Sequence, residues 1–326
     1  MDIKKAVCKE QRIGQIFDEN ETINIAFGVD KLYVPMMGIL MTSIVKNNND
    51  VNFAFHIFFD SMNDSDFDKL NQFAKDFSNA QVNLYLVSAD LFKDFYIDRS
   101  YSTAIFYRII AAEYLSCKMD KLIYMDSDMI CLKSMHELFS TEFDGAFLMA
   151  VKDPGSCIDS HKIDKLHLDS DYIYFNTGIL YINLKLWIEY NAAQQLMDIL
   201  SQDDYLFPDQ DALNIFVNRN HYKVKYISNK FNNFFRVEGI THELDFDENT
   251  IIEHFSGQLK PWHPWCDGSV KQIYNHYQSI SLWSDFVYKP KNYQENRIMG
   301  KYCRRNGKWL EALRWYYLYL KQHGKK

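Results

Sequence analysis

Residues 104–128 read AIFYRIIAAEYLSCKMDKLIYMDSD. In the first half, AIFYRIIAAEYL (104–115) spaces its apolar residues as a helix does. KLIYM (121–125) is then a short apolar strand, ended directly by Asp126 and Asp128. The same alternation extends in both directions. Upstream, INIAFGV (23–29) predicts a strand ending at Asp30, and Pro35 stands in the first turn of a helix reaching about Asn47. FAFHIFF (53–59) and VNLYLV (82–87) predict strands on either side of a helix over 65–77. Downstream, strands are expected at GAFLMAV (145–151) and YFNTGILYINL (174–184), and helices at about 185–200 and 209–218. Residues 4–18 predict a short amphipathic helix. This order implies an α/β, Rossmann-like domain with a mostly parallel sheet, whose ligands lie beyond the carboxyl ends of the strands. Three parts are expected: an N-terminal helical extension (1–22), the α/β domain (23–265) and a small basic helical region (266–326).

Composition closes several alternatives. The 326 residues are 47% hydrophobic, 24% charged and 16% aromatic, which excludes a disordered chain and leaves rings to line a site. The net charge of −7 argues against nucleic acid as a partner. That charge is uneven: from residue 297 onward nine Lys/Arg face one Glu, net +8, leaving −15 for residues 1–296. Within 308–321, Trp309, Leu313, Tyr316 and Leu320 recur at helical spacing, with Leu310 and Tyr317 beside them. Such a face either meets a membrane interface or packs on the rest of the protein. The start lacks an apolar signal region, and the longest charge-free apolar stretch, 32–45, has 14 residues and a proline. A spanning helix needs about 20. The six cysteines (Cys8, Cys117, Cys131, Cys157, Cys266, Cys303) show no CxxC spacing and read as reduced thiols of a cytoplasmic protein.

Asp126 and Asp128, two apart on an extended segment, present two hard oxygens to one side, a set suited to Mg²⁺ or Mn²⁺. The triplet alone has little specificity: six D-x-D triplets occur, where roughly three are expected from 30 aspartates. Only Asp126 ends an apolar strand directly; the bland reading of such acids is capping and turn formation. His254, ending a short apolar strand in IIEHFSGQLKPWH (251–263), offers a nitrogen ligand, with Gly257 and Lys260 placed for an anion. Read singly, His254 is more simply a core histidine, Asn176 and Gly178 a turn, and Asp209 with Asp211 the acidic first turn of a helix.

Together and in order, IAFGVD (25–30), AIFYR (104–108), KLIYMDSD (121–128), YFNTGILYINLKLW (174–187), DQDALN (209–214) and HFSGQLKPWH (254–263) resemble glycosyltransferase family 8. The resemblance is to the bacterial lipopolysaccharide core α-glucosyl- and α-galactosyltransferases, and the basic tail is similar to theirs. It implies a GT-A type fold over 23–265 and retaining transfer of a hexose, glucose before galactose, from a UDP-sugar to a lipopolysaccharide core acceptor. Asp126, Asp128 and His254 would hold the Mn²⁺ or Mg²⁺. Asp30 would contact uracil, Arg108 the diphosphate or sugar, Asp153 and Asn176 sugar hydroxyls, and Gly257 and Lys260 the diphosphate. Asp209 and Gln210 would flank the anomeric carbon, their oxygens facing its developing positive charge. The tail would attach the enzyme to the anionic cytoplasmic face of the inner membrane. One departure is Lys31-Leu32, where some relatives carry a polar second residue. Two competing readings are a haloacid-dehalogenase-like phosphatase with Asp126 as nucleophile and a non-catalytic sugar-nucleotide-binding protein.

Overall fold

A computed structural model of the chain describes residues 3–18, 21–93, 95, 102–155, 160–234 and 247–323. It forms two compact units, one from the described residues of Met1–Phe234 and Asp247–His254, the other from those of Phe255–Lys326. Residues 255–265, expected in the α/β domain, therefore belong to the second unit. Cys157 and residues 324–326 of the tail lie outside the described residues.

The first unit is built on an eight-stranded sheet. Its strands in chain order are β1 (Val7–Ile13), β2 (Thr22–Val29), β3 (Asn52–Phe59), β4 (Ala80–Val87) and β5 (Lys121–Met125). After a short strand of a separate sheet, β6 (Met129–Cys131), come β7 (Leu148–Lys152), β8 (Phe175–Asn183) and β9 (Val224–Ile227). Across the sheet they lie in the order β1-β4-β3-β2-β5-β8-β7-β9. β4, β3, β2 and β5 are mutually parallel, as are β7 and β9, while β1 and β8 run antiparallel to their neighbours. The mostly parallel sheet expected from the sequence is thus present. β3 is apolar apart from Asn52 and the buried His56 because parallel strands are covered on both faces; Phe53, Phe55, Ile57 and Phe58 are all buried.

Residues 4–18 do not form the expected helix. A 3₁₀ turn over Ile3–Ala6 leads into β1, whose largely exposed residues pair with β4. Hydrogen bonding to an otherwise open sheet edge outweighs the helical preference of the run Lys9-Glu10-Gln11-Arg12, and its charges discourage further edge pairing.

The connecting helices are α1 (Val34–Asn47), α2 (Asp64–Asp76), α3 (Tyr107–Leu115), α4 (His136–Phe139), α5 (Ser160–Lys165), α6 (Leu184–Glu189), α7 (Ala192–Leu200) and α8 (Pro208–Arg219). The one helix expected near 185–200 is two, because Asn191 takes a left-handed conformation (φ 47°) between α6 and α7. Asn214, buried within α8, bonds both backbone groups of Phe175, accepting from its N–H and donating to its carbonyl at 2.9 Å each. That two-way bond sets the second turn of α8 against the start of β8.

A second, three-stranded sheet has the order β10 (Asn233–Phe234), β11 (Ile252–His254), β6. β11 runs antiparallel to β6, with His254 opposite Met129. The histidine is therefore delivered next to the end of the Asp126–Asp128 turn.

In the second unit, Phe255 and Trp262 pack on Tyr274 of α9 (Gly268–Ser279), with ring centroids 6.2 and 5.5 Å apart. This aromatic packing explains why the boundary falls after His254. α10 (Tyr293–Arg305) and α11 (Trp309–His323) form an antiparallel pair joined at Gly307. No helix among the described residues is long and apolar enough to cross a membrane. Described cysteines are free thiols, as expected.

Candidate active site

One edge of the large sheet collects most of the expected residues. Asp30 follows β2, Asp126 and Asp128 follow β5, Asp153 follows β7, and Asn176–Gly178 stand at the start of antiparallel β8. This is the carboxyl edge of the parallel strands, where such sheets bind ligands.

Asp126, Asp128 and His254 each offer one ligand atom, and all three atoms lie within 4.8 Å of one another. His254 Nε2 is 3.3 Å from Asp128 Oδ1, and the Asp126 N–H donates to Gly178 O at 2.8 Å. Gly178 has to be glycine, because a Cβ there would sit 2.6 Å from His254 Cε1 and 2.8 Å from Met129 Cε. Two carboxylates and an imidazole in this arrangement form a candidate site for a divalent cation. Burial pushes the Asp126 carboxyl up to about 6; Arg108 opposes the rise and Asp128 adds to it. A cation at this place would relieve that repulsion.

Arg108 is buried over the Tyr124 ring, 4.6 Å from its centroid. Its guanidinium meets Asp126 Oδ1 at 2.9 Å and Asp209 Oδ2 at 3.0 Å, and donates to the carbonyls of Thr177 at 2.7 Å and Ile105 at 3.0 Å. The expected contact with the diphosphate or sugar side would be made from this anchored position. Arg108 is committed to protein acceptors and fixes two of the site's carboxylates.

The first turn of α8 and the start of β8 share a polar network. Thr177 Oγ1 donates to Asp209 Oδ2 at 3.3 Å. Gln210 Oε1 accepts from Asn176 Nδ2 at 2.9 Å and from the Thr177 N–H at 3.2 Å. The buried Gln210 Nε2 has no protein partner among the described residues. The carboxamide oxygen thus already accepts two hydrogen bonds, and the NH₂ group is the part of Gln210 without a partner among the described residues. Asp153 is buried, with Oδ1 accepting from the Gly155 N–H at 3.1 Å. Asp30 Oδ1 accepts from the N–H groups of Leu32 and Tyr33 at 2.9 and 3.1 Å, shaping the turn into α1. Gly257, at φ +98°, and Lys260, whose Nζ donates to Phe255 O at 2.6 Å, are in the second unit.

Sequence reasoning missed Thr177, Tyr124, Asn214 and Asn232. Thr177 was visible as a polar residue inside an apolar strand. Asn232, which bonds His254 Nδ1 at 2.9 Å, lies in the run KFNNFF and carries no periodic signal.

A mostly parallel sheet with an Asp-Asp-His cluster, a candidate cation site, at its carboxyl edge matches the GT-A type of glycosyltransferase fold. The model of glycosyl transferase family 8 matches residues 24–266, and the chain belongs to that family. It is 29% identical over 284 residues to a lipopolysaccharide 1,2-glucosyltransferase of Escherichia coli, covering 83% of this chain and 82% of that protein. It is 27% identical over 335 residues to a lipopolysaccharide 1,3-galactosyltransferase of Salmonella typhimurium, covering 96% of this chain and 97% of that protein. The crystal structure of the galactosyltransferase LgtC with donor and acceptor sugar analogs has the same fold (TM-score 0.68, 21% identity, 82% of this chain and 98% of that chain). Family membership sets aside the phosphatase reading of Asp126.

Proposed function

We propose that this chain is a metal-dependent retaining transferase moving a hexose, glucose before galactose, from a UDP-sugar to a lipopolysaccharide core oligosaccharide. The observation that carries the reading is the Asp126–Asp128–His254 cluster at the sheet edge. A Mn²⁺ or Mg²⁺ bound there would supply positive charge to the departing diphosphate. Asp30 receives the uracil, with its second oxygen in addition to the one that shapes the turn. Gly257 and Lys260 receive the diphosphate, and Asp153 and Asn176 the sugar hydroxyls. Asp209 and Gln210 flank the anomeric carbon; the Asp209 carboxylate favours its positive charge, and Arg108 keeps that carboxylate in place. Glucose is favoured because the basic tail resembles that of a subgroup many of whose members use glucose donors.

The tail supports attachment to an anionic membrane surface, which would place the protein at the cytoplasmic face of an inner membrane. On α11, Trp309, Leu310, Leu313, Tyr317 and Leu320 are all more than 60% exposed, and the segment from 297 onward carries +8. A panel of UDP-sugars with a truncated lipopolysaccharide core acceptor tests the function. UDP-glucose is expected to turn over at least tenfold faster than its competitors and only with added metal. A preference for UDP-galactose would exchange the donor, and no UDP release from any UDP-hexose would remove the reading.

A further inference from the structure

Asn232, immediately before β10, is fully buried between the metal cluster and the sugar-side amides. Its Oδ1 lies 2.9 Å from His254 Nδ1, and its Nδ2 donates to Asn176 Oδ1 at 2.9 Å. Two backbone donors determine the direction of every bond in this chain. The Gly178 N–H can only donate, so the Asn176 atom it meets at 2.8 Å is the oxygen. The Thr177 N–H likewise identifies the Gln210 atom it meets at 3.2 Å as the oxygen, and Asn176 Nδ2 donates to that same atom. With Asn176 Oδ1 an acceptor, Asn232 must turn its NH₂ group toward Asn176 and its oxygen toward His254. His254 therefore carries a proton on Nδ1, and Nε2 is the nitrogen that faces Asp128, 3.3 Å from its Oδ1. Partners on the second nitrogen of a ligating imidazole set its tautomer and ring orientation in this way.

We propose that Asn232 is a positioning residue of the site, its one carboxamide setting the His254 tautomer and, together with the Gly178 N–H, bracing the Asn176 amide that with the Thr177 N–H holds the Gln210 NH₂ group toward an acceptor oxygen of the bound sugar diphosphate. The proposal rests on the glycosyl-transfer reading above and deepens it. It assigns the two ends of the site, metal ligand and sugar-side amide, to a single buried residue that touches neither substrate nor cation.

Asn232→Asp and Asn232→Ala separate the two halves. Aspartate still accepts from His254 Nδ1 but cannot donate to Asn176; alanine does neither. The readouts are Mn²⁺ binding in the presence of UDP, the ¹⁵N signals of His254 in the metal-free protein, and kcat against donor KM, all on the full chain. Asn232→Ala should weaken Mn²⁺ binding by on the order of 10- to 100-fold and lose the Nδ1–H signal. Asn232→Asp should hold Mn²⁺ binding within about threefold and keep Nδ1–H, while kcat falls about tenfold or more at nearly unchanged donor KM. Parental Mn²⁺ binding and kcat in a folded Asn232→Ala protein overturn the proposal, as does an Nε2–H tautomer in the parent. Should alanine prevent folding, the near-isosteric aspartate variant decides, and parental kcat in it refutes the relay. A parent that neither binds Mn²⁺ with UDP nor releases UDP from UDP-hexoses removes the functional reading itself. Parental activity combined with indifferent variants removes only the role of Asn232.

Discussion

At the scale of single residues, the site depends on one buried cation and one missing Cβ. Arg108 bridges Asp126 and Asp209 from within the core, so Arg108→Ala leaves two carboxylates facing each other without their counter-charge. Breaking a buried pair by removing one partner costs about 3–5 kcal/mol, and urea denaturation should show a loss of that order. A loss under about 1 kcal/mol would mean the carboxylates are held by other groups. Gly178→Ala addresses the cation site from the opposite direction, since the new methyl group displaces the His254 ring. Mn²⁺ binding should weaken at least tenfold, for a stability cost of about 1–3 kcal/mol. Unchanged Mn²⁺ affinity would argue against His254 as a ligand. Asp126 and His254 were legible in the sequence because each ends an apolar strand, and Asp128 because it stands two residues beyond Asp126. The contacts of Arg108 and the turned carboxamide of Gln210 were not, because side-chain direction depends on partners far away in the chain, such as Thr177 for both and Asp209 for Arg108.

Among the elements, central strands and their helices could be read from pattern because burial on both faces leaves a nearly continuous apolar run, as in β3, broken only by His56 between Phe53 and Phe59. Edge and short elements could not. β1 is charged throughout its middle and owes its form to the open edge of β4, and β6 and β10 are too short to carry a period. α11 shows the same limit in a helix. Its aromatic stripe is one face in the sequence but two in the structure: Tyr316 lies over Gly300 of α10, whereas Leu313 and Tyr317 face solvent. Leu313→Glu with Tyr317→Glu should therefore cut binding to phosphatidylglycerol-containing vesicles at least tenfold while leaving the fold intact. High salt should weaken binding of the parent. Tyr316→Glu should instead lower thermal stability. Equal vesicle binding by parent and double variant would assign the exposed stripe to another partner.

For the whole molecule, acid stability follows from its buried histidines. His56, between Tyr85 and Asn24 in the first unit, is pushed down to about 3 by burial, and His263 in the second unit likewise. Folded, both stay neutral; unfolded, each takes up a proton below about 6.5. Their contribution is thus fully present above pH 6.5 and is lost as pH falls from there toward 3. His56→Gln should make stability fall less steeply across that window, a comparison denaturation midpoints at several pH values can make; an unchanged slope would contradict a neutral buried His56. The functional claim for the whole molecule is that chemistry at the sheet edge needs the cation held by Asp126, Asp128 and His254. The direct measurement is UDP release from a UDP-hexose in the presence of acceptor, with and without Mn²⁺, for the parent and for Asp128→Ala of confirmed fold. The parent should be active only with metal, and the variant should lose on the order of 10²-fold or more. Near-parental, metal-stimulated turnover in folded Asp128→Ala, or full activity of the parent after chelation, would contradict the account.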